Sequence, residues 1–220
     1  MNIDAIIRTR RRTIALIVEA DGRVVVRAPL RCSDAELRRF VSQHEDWIRA
    51  RQARAAAPAT APKKFTDGES FHFLGEAYPL RIVERARKPL VLDGHFRLAR
   101  RALPKAAAAF RAWYRREALQ VLADRTRLYA IAMNLPCPPV SITSARTRWG
   151  SCSPSGRLNY TYRLVMAPMD IIDYVVVHEL AHLRERNHSR AFWQGVEKAM
   201  PDYKKRRKWL RANGPQLRLD

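Results

Sequence analysis

The chain has 220 residues, with 42 Lys plus Arg against 21 Asp plus Glu and a formal net charge of +21. A hydrophobic fraction of 47% with 9% aromatics marks a globular chain, one domain or a small pair. No apolar run approaches membrane-spanning length, and the apolar stretch 13–20 is too short for a signal peptide, so no membrane association is expected. Cys32, Cys137 and Cys152 are odd in number and form no CxxC pair. They exclude a disulfide framework and a cysteine zinc site, and they point to the reducing cytoplasm.

In chain order, residues 14–18 and 23–28 flank Asp21-Gly22 and predict a β-hairpin. Ser33 and Glu36 form a capping box for a helix running to about residue 57. Leu37, Phe40, Val41, His44, Trp47 and Ile48 recur on it at core-facing spacing. Residues 58–64, rich in Ala, Pro and Lys, read as a linker or exposed loop. Three or four short strands follow over 70–74, 77–83, 90–92 and 95–98, with turns at Gly75-Glu76 and Asp93-Gly94. The first 100 residues thus predict a small, mostly β module with one helix.

From Pro104 a long helix runs to about Met133 and is ended by Pro136, Pro138 and Pro139. Residues 140–144 and 157–162 predict strands on either side of a turn at 153–156. Then come a strongly apolar helix beginning near Pro168, a helix N-capped by Ser189 that carries Phe192, Trp193 and Val196, and a basic helix over 202–213. Helix, small antiparallel sheet and apolar helix in this order suit a zinc-peptidase core. The expected fold class is α+β, with a module over 1–100 and a catalytic domain over 101–220.

The chemistry concentrates in the apolar helix. His178 and His182 stand four residues apart on one helical face, so their imidazoles can converge on one cation. Glu179 beside the first can act as general base on an activated water, the logic of an HExxH pattern. After His182 the chain turns polar through Arg184, Glu185, Arg186 and Asn187, which predicts that the helix ends and bends. His188 can then supply a third ligand; Glu185 and Glu197 are its chemically able rivals. Three ligands with an open fourth position describe catalytic zinc rather than a closed structural site. His44, His72 and His95 have no partner spacing and read as structural or surface residues.

A second cluster lies about 25 residues upstream. Arg146-Thr147-Arg148-Trp149-Gly150-Ser151-Cys152-Ser153 leads through Leu158-Asn159, Leu164 and Ala167-Pro168 to the histidine helix. The chain continues through Asn187-His188-Ser189, Phe192-Trp193, Pro201 and Tyr203. This run resembles the YgjP-like metallopeptidase family. The resemblance implies a zincin-like catalytic domain, Zn2+ on His178, His182 and His188, and Glu179 as the catalytic acid/base.

The segment around Arg146–Cys152 reads as a strand leading into the hairpin beside the metal helix, where an edge can pair with an extended peptide. Arg146 or Arg148 can clamp a carboxylate or phosphate, whereas Trp149 and Cys152 read as packing residues and Gly150 as permitting a bulge. Tyr160, Tyr162 and Tyr203 are all candidates for stabilising an oxyanion, and nothing in the sequence selects among them. The leading expectation is hydrolysis of protein or peptide substrates. Hydrolysis of nucleotide phosphoanhydrides is the first alternative. A nucleic-acid-binding module with a structural metal is the second, since the surplus charge draws polyanions. That charge is dispersed, however, and no recognition motif accompanies it.

Overall fold

β-Branched residues with one apolar face build the amino-terminal sheet. In the computed structural model, which describes residues 3–19, 21–56 and 62–219, β1 (Ala5–Thr9) and β2 (Ala15–Val18) flank a central β3 (Val24–Pro29). The β2–β3 pair is the expected antiparallel hairpin, and Gly22 takes the positive φ of 85° that its turn requires. β1, not foreseen in the sequence, joins β3 in parallel. Val24, Val26 and Ala28 are buried against Leu37, Val41 and Ile48.

Those last three come from two helices rather than one. The Ser33 capping box forms as expected, its hydroxyl accepting from the Glu36 N–H and the Glu36 carboxylate accepting from the Ser33 N–H at 2.8 Å. The helix it starts, α1 (Asp34–Gln43), stops at His44, and α2 (Glu45–Ala56) follows at once. The His44 ring Nδ1 lies 2.8 Å from the Phe40 carbonyl, the acceptor a continued helix would give to the His44 backbone N–H, which bonds Val41 O instead. The break leaves Trp47 42% exposed and Phe40 and His44 half-buried, so three of the six expected core positions are not core. Residue 57 and residues 58–61 of the expected linker lie outside the described residues.

The chain groups into two compact units, Met1–Ala61 and Pro62–Asp220. The division therefore falls in the Ala/Pro/Lys stretch and not near residue 100, and the amino-terminal unit holds two helices with three strands. The strands of residues 70–99 belong to the larger unit for a packing reason. They are β4 (Ser70–Phe73), β5 (Glu76–Val83), β6 (Leu90–Asp93) and β7 (His95–Ala99), in the order β4-β5-β7-β6. Phe71 from this sheet stacks on Phe110 of α3 (Ala106–Ala132) at 4.1 Å between ring centroids, and Phe96 packs tilted against the same ring at 5.1 Å. The Tyr114 hydroxyl donates to the His72 carbonyl at 2.6 Å. Burial of several large aromatics, each able to remove 150–250 Å² from water, makes sheet and helix one body.

A second small sheet has the order β8-β10-β9, from β8 (Val140–Thr143), β9 (Gly150–Cys152) and β10 (Leu158–Thr161). It is mixed, not antiparallel as expected, because the chain leaves β8, crosses to the far edge and returns by the hairpin. β10 thus runs parallel to β8 and antiparallel to β9. Three helices complete the unit: α4 (Met169–Ala181), α5 (Arg190–Ala199) and α6 (Tyr203–Asn213). α3 also packs against β8 and α4, and α4 in turn against α5 and α6. The α+β class agrees with the sequence expectation. Among the described residues no helix is long and apolar enough to cross a membrane.

Candidate metal centre

α4 is apolar around its whole circumference. Ile171, Ile172, Tyr174, Val175, Val176, Val177, Leu180 and Ala181 are all buried, so the helix must be enclosed by its neighbours. Pro168 takes its N-cap position, and the Cβ a residue other than glycine would place at Gly75 would lie 2.9 Å from Pro168 Cα. Gly75, at φ 90°, therefore lets the β4–β5 turn pack directly on the helix start. Halfway along, buried Asp173 accepts from Arg125 Nε and Nη2 of α3 at 2.6 and 2.7 Å and from the Tyr129 hydroxyl at 3.0 Å. This bidentate pair fixes the rotation of α4 against α3.

That rotation aims the histidines. α4 ends at Ala181, with His182 as its C-cap, and residues 183–188 turn back as the polar stretch predicts. The Ser189 hydroxyl then caps α5 by accepting from the Phe192 N–H. His178, His182 and His188 converge so that one ring nitrogen from each lies within 4.8 Å of the others. His178 Nε2 and His188 Nε2 are 3.1 Å apart. Nitrogen ligands at about 2.0–2.1 Å around one tetrahedral zinc lie roughly 3.3 Å apart, so the donor set fits such an ion. His182 Nδ1 lies 3.0 Å from the Glu185 carbonyl, the outer partner that leaves Nε2 for a metal. Among the described residues no Cys, Asp or Glu joins the cluster. Glu185 contributes its backbone carbonyl and Glu197 faces Lys204 at 3.3 Å.

Burial and neighbouring charge favour the neutral form of His178 and His188. The His178 ring is pushed down to about 3, first by burial, then by His182, His188 and Arg207. His188 is lowered by burial, His182 and Arg207. Neutral imidazole is the form that ligates metals. Phe192, buried on α5, touches all three rings, with centroids 5.0, 4.6 and 4.8 Å from His178, His182 and His188. Trp193 stacks on His188 at 5.7 Å and on Tyr203 at 5.3 Å.

Glu179 lies beside the cluster, 5% exposed. Burial raises its carboxyl to about 7. It packs against β9: a Cβ at Gly150 would come within 2.6 Å of Glu179 Cγ and Oε1. Gly150 is thus needed for close approach of strand and carboxylate, a role beyond the bulge its sequence context suggests. Both line an open cleft of about 620 Å³. It is lined by β9, the turn at 153–156, the three histidines, Glu179, Leu183, Arg148 and Arg186.

Of the expected anion-binding residues, Arg148 lines this cleft, whereas Arg146 does not. Arg186, not singled out in the sequence, does so as well. Its only early signal was its place in the polar turn between His182 and His188. Trp149 is half-buried and packs on Gly214 and Arg163, as its packing reading requires. Cys152 is half-buried in the cleft wall, its thiol pKa raised by burial and then by Glu179. Tyr160 is enclosed in the core, its hydroxyl 3.3 Å from Thr126 Oγ1, and does not line the cleft; nor do Tyr162 and Tyr203.

A family model described as YgjP-like, metallopeptidase domain, matches residues 12–213. Among solved structures, the metallopeptidase zymogen abylysin of Pyrococcus abyssi aligns with a TM-score of 0.40 at 22% identity, over 42% of this chain and 93% of that one. The metallopeptidase zymogen jannalysin of Methanocaldococcus jannaschii aligns with a TM-score of 0.38 at 16% identity, over 42% and 95%. Comparison with curated proteins gives no match.

Proposed function

The chain belongs to the YgjP-like metallopeptidase family, and from that premise we propose that it hydrolyses peptide bonds with Glu179 as general base and zinc on His178, His182 and His188. The observation that carries this reading is the convergence of three imidazoles in a cleft that a buried carboxyl also lines. Three nitrogen donors, with no fourth side chain among the described residues, suit the open position of a catalytic rather than a structural site. His178, His182 and His188 would hold the zinc, which would supply Lewis-acid polarisation of the scissile carbonyl and a lowered pKa for the attacking water.

The remaining chemistry falls to the chain's own residues. Glu179 accepts a proton from the attacking water and returns it to the leaving amine, a shuttle suited to a carboxyl raised to about 7. β9 pairs only with β10 within its sheet, so its outer edge can offer backbone hydrogen bonds to an extended peptide. Nothing in the family match supports the nucleic-acid reading. Glu179→Gln should retain stoichiometric metal by elemental analysis while cleavage of a casein-like protein falls about 10³-fold. Near-normal cleavage, or cleavage indifferent to chelator, would sink the assignment. Metal-dependent phosphate release from nucleotides in a parallel assay, without peptide cleavage, would move it to phosphoanhydrides.

A further inference from the structure

Among the residues lining the cleft, Glu179 is the only acidic one, and its carboxyl sits against β9. The only basic ones besides the histidines are Arg148 and Arg186. Both are exposed, and among the described residues neither guanidinium is in an ion pair. Arg148 precedes β9 by two residues. Arg186 reaches the other end of the strand, where its Nη2 donates to the Pro154 carbonyl at 3.1 Å in the turn that follows β9. One edge strand is therefore bracketed by two cations, and the serines and glycines between them carry no charge. A peptide seated along that edge meets a guanidinium near each end.

We propose that the cleft selects acidic peptides, with carboxylate side chains roughly four to six residues apart engaging Arg148 and Arg186. This deepens the peptidase reading and rests on it. Guanidinium groups recognise carboxylates bidentately, and Arg186 is already oriented by one bond to backbone, which leaves its other N–H groups for a ligand. A lysine or arginine at the same substrate positions is repelled. The general surface charge of +21 hastens encounter with any anion but does not discriminate by position. Position dependence is therefore the signature of the two arginines.

The test is equilibrium binding by fluorescence anisotropy at physiological salt, using full-length, zinc-loaded Glu179→Gln protein. The probes are three labelled peptides of one length, carrying Glu, Gln or Lys at two positions five apart, together with a peptide carrying two adjacent Glu and a labelled nucleoside triphosphate. The Glu peptide should bind roughly fivefold more tightly per carboxylate than the Gln peptide, and the Lys peptide more weakly still. Adding Arg148→Gln or Arg186→Gln should each remove about half of that preference, and the pair should abolish it. Arg127→Gln, at an exposed arginine of α3 outside the cleft, should leave it intact.

A preference that survives the double substitution, equal binding of all three peptides, or indifference to the spacing of the glutamates overturns the proposal. So does a nucleoside triphosphate that binds through both arginines while no peptide does. Cleavage by the protein with Glu179 intact, followed separately by mass spectrometry, reports on the peptidase reading independently of this binding preference.

Discussion

On its helical side the cleft is bounded by residues with almost no freedom. Val175, Val176, Val177, Leu180 and Ala181 are buried around Glu179, and Phe192 touches every histidine ring. The strand side is built from half-buried Gly150, Ser151 and Cys152, with exposed Arg148 before it and the Arg186 guanidinium reaching its far end from the turn after α4. The difference follows from what each wall must do. A group that binds a metal or shuttles a proton has to be held within a fraction of an ångström, which dense packing provides. A surface that accepts varied peptides needs backbone edges and adaptable charge instead. Apart from Glu179, substitutions on the helical wall should therefore cost metal or stability, and those on the strand wall should cost rate or preference while the fold survives.

The largest effect should come from His178→Ala. Loss of one of the three proposed ligands should weaken metal binding by at least ~100-fold, more than loss of an outer-shell partner costs. Competition with a chromophoric chelator measures this, and unchanged affinity would remove His178 from the ligand set. Next is Asp173→Ala, which touches no ligand but leaves the Arg125 guanidinium without its partner. Urea denaturation should show a loss of about 3 kcal/mol. A neutral result would mean that apolar packing alone holds α4.

The Glu179 carboxyl gives the helical wall a pH dependence of definite sign. Its folded pKa of about 7 lies above the ordinary 4.5. Between those values the folded protein keeps a proton that the unfolded chain has released, so stability falls as pH rises. Metal-free protein should lose about 3 kcal/mol relative to Glu179→Gln as pH climbs through that window. Parallel stability curves for the two proteins would show that burial does not govern this carboxyl.

The smallest effect tests where the walls meet. Gly150→Ala sets a methyl 2.6 Å from the Glu179 carboxylate and must displace it. We expect up to a ~100-fold loss of kcat with metal content unchanged. Loss of the metal instead would mean that β9 supports the histidines as well as the base, and the contrast between the walls would blur.

Much of the centre was readable from linear spacing. Histidines four apart on an apolar helix share a face wherever that helix folds, and the polar run after His182 announced the turn that brings His188 back. The Ser33 and Ser189 caps were equally local, since a hydroxyl and an N–H three residues apart need no third party. Features that depend on distant partners were not readable. The His44 break depends on a side chain competing for a helix carbonyl. β1 has no hairpin signal because it pairs in parallel across 20 residues. The placement of residues 70–99 was set by Phe71 and Phe96 meeting Phe110, which a pass along the chain cannot see.

The amino-acid order alone thus implied the α+β class and put His178, Glu179 and His182 together, because four-residue spacing on one helix needs no distant partner. Folding in three dimensions selected among residues that looked alike in the chain. It put Arg148 and Arg186 in the cleft and Arg146 outside it, enclosed Tyr160 in the core, and made Gly150 the seat of Glu179. The reason is steric: which side chain reaches a shared cleft depends on strand order, helix rotation and close packing, and these are properties of contacts between segments rather than of any segment by itself.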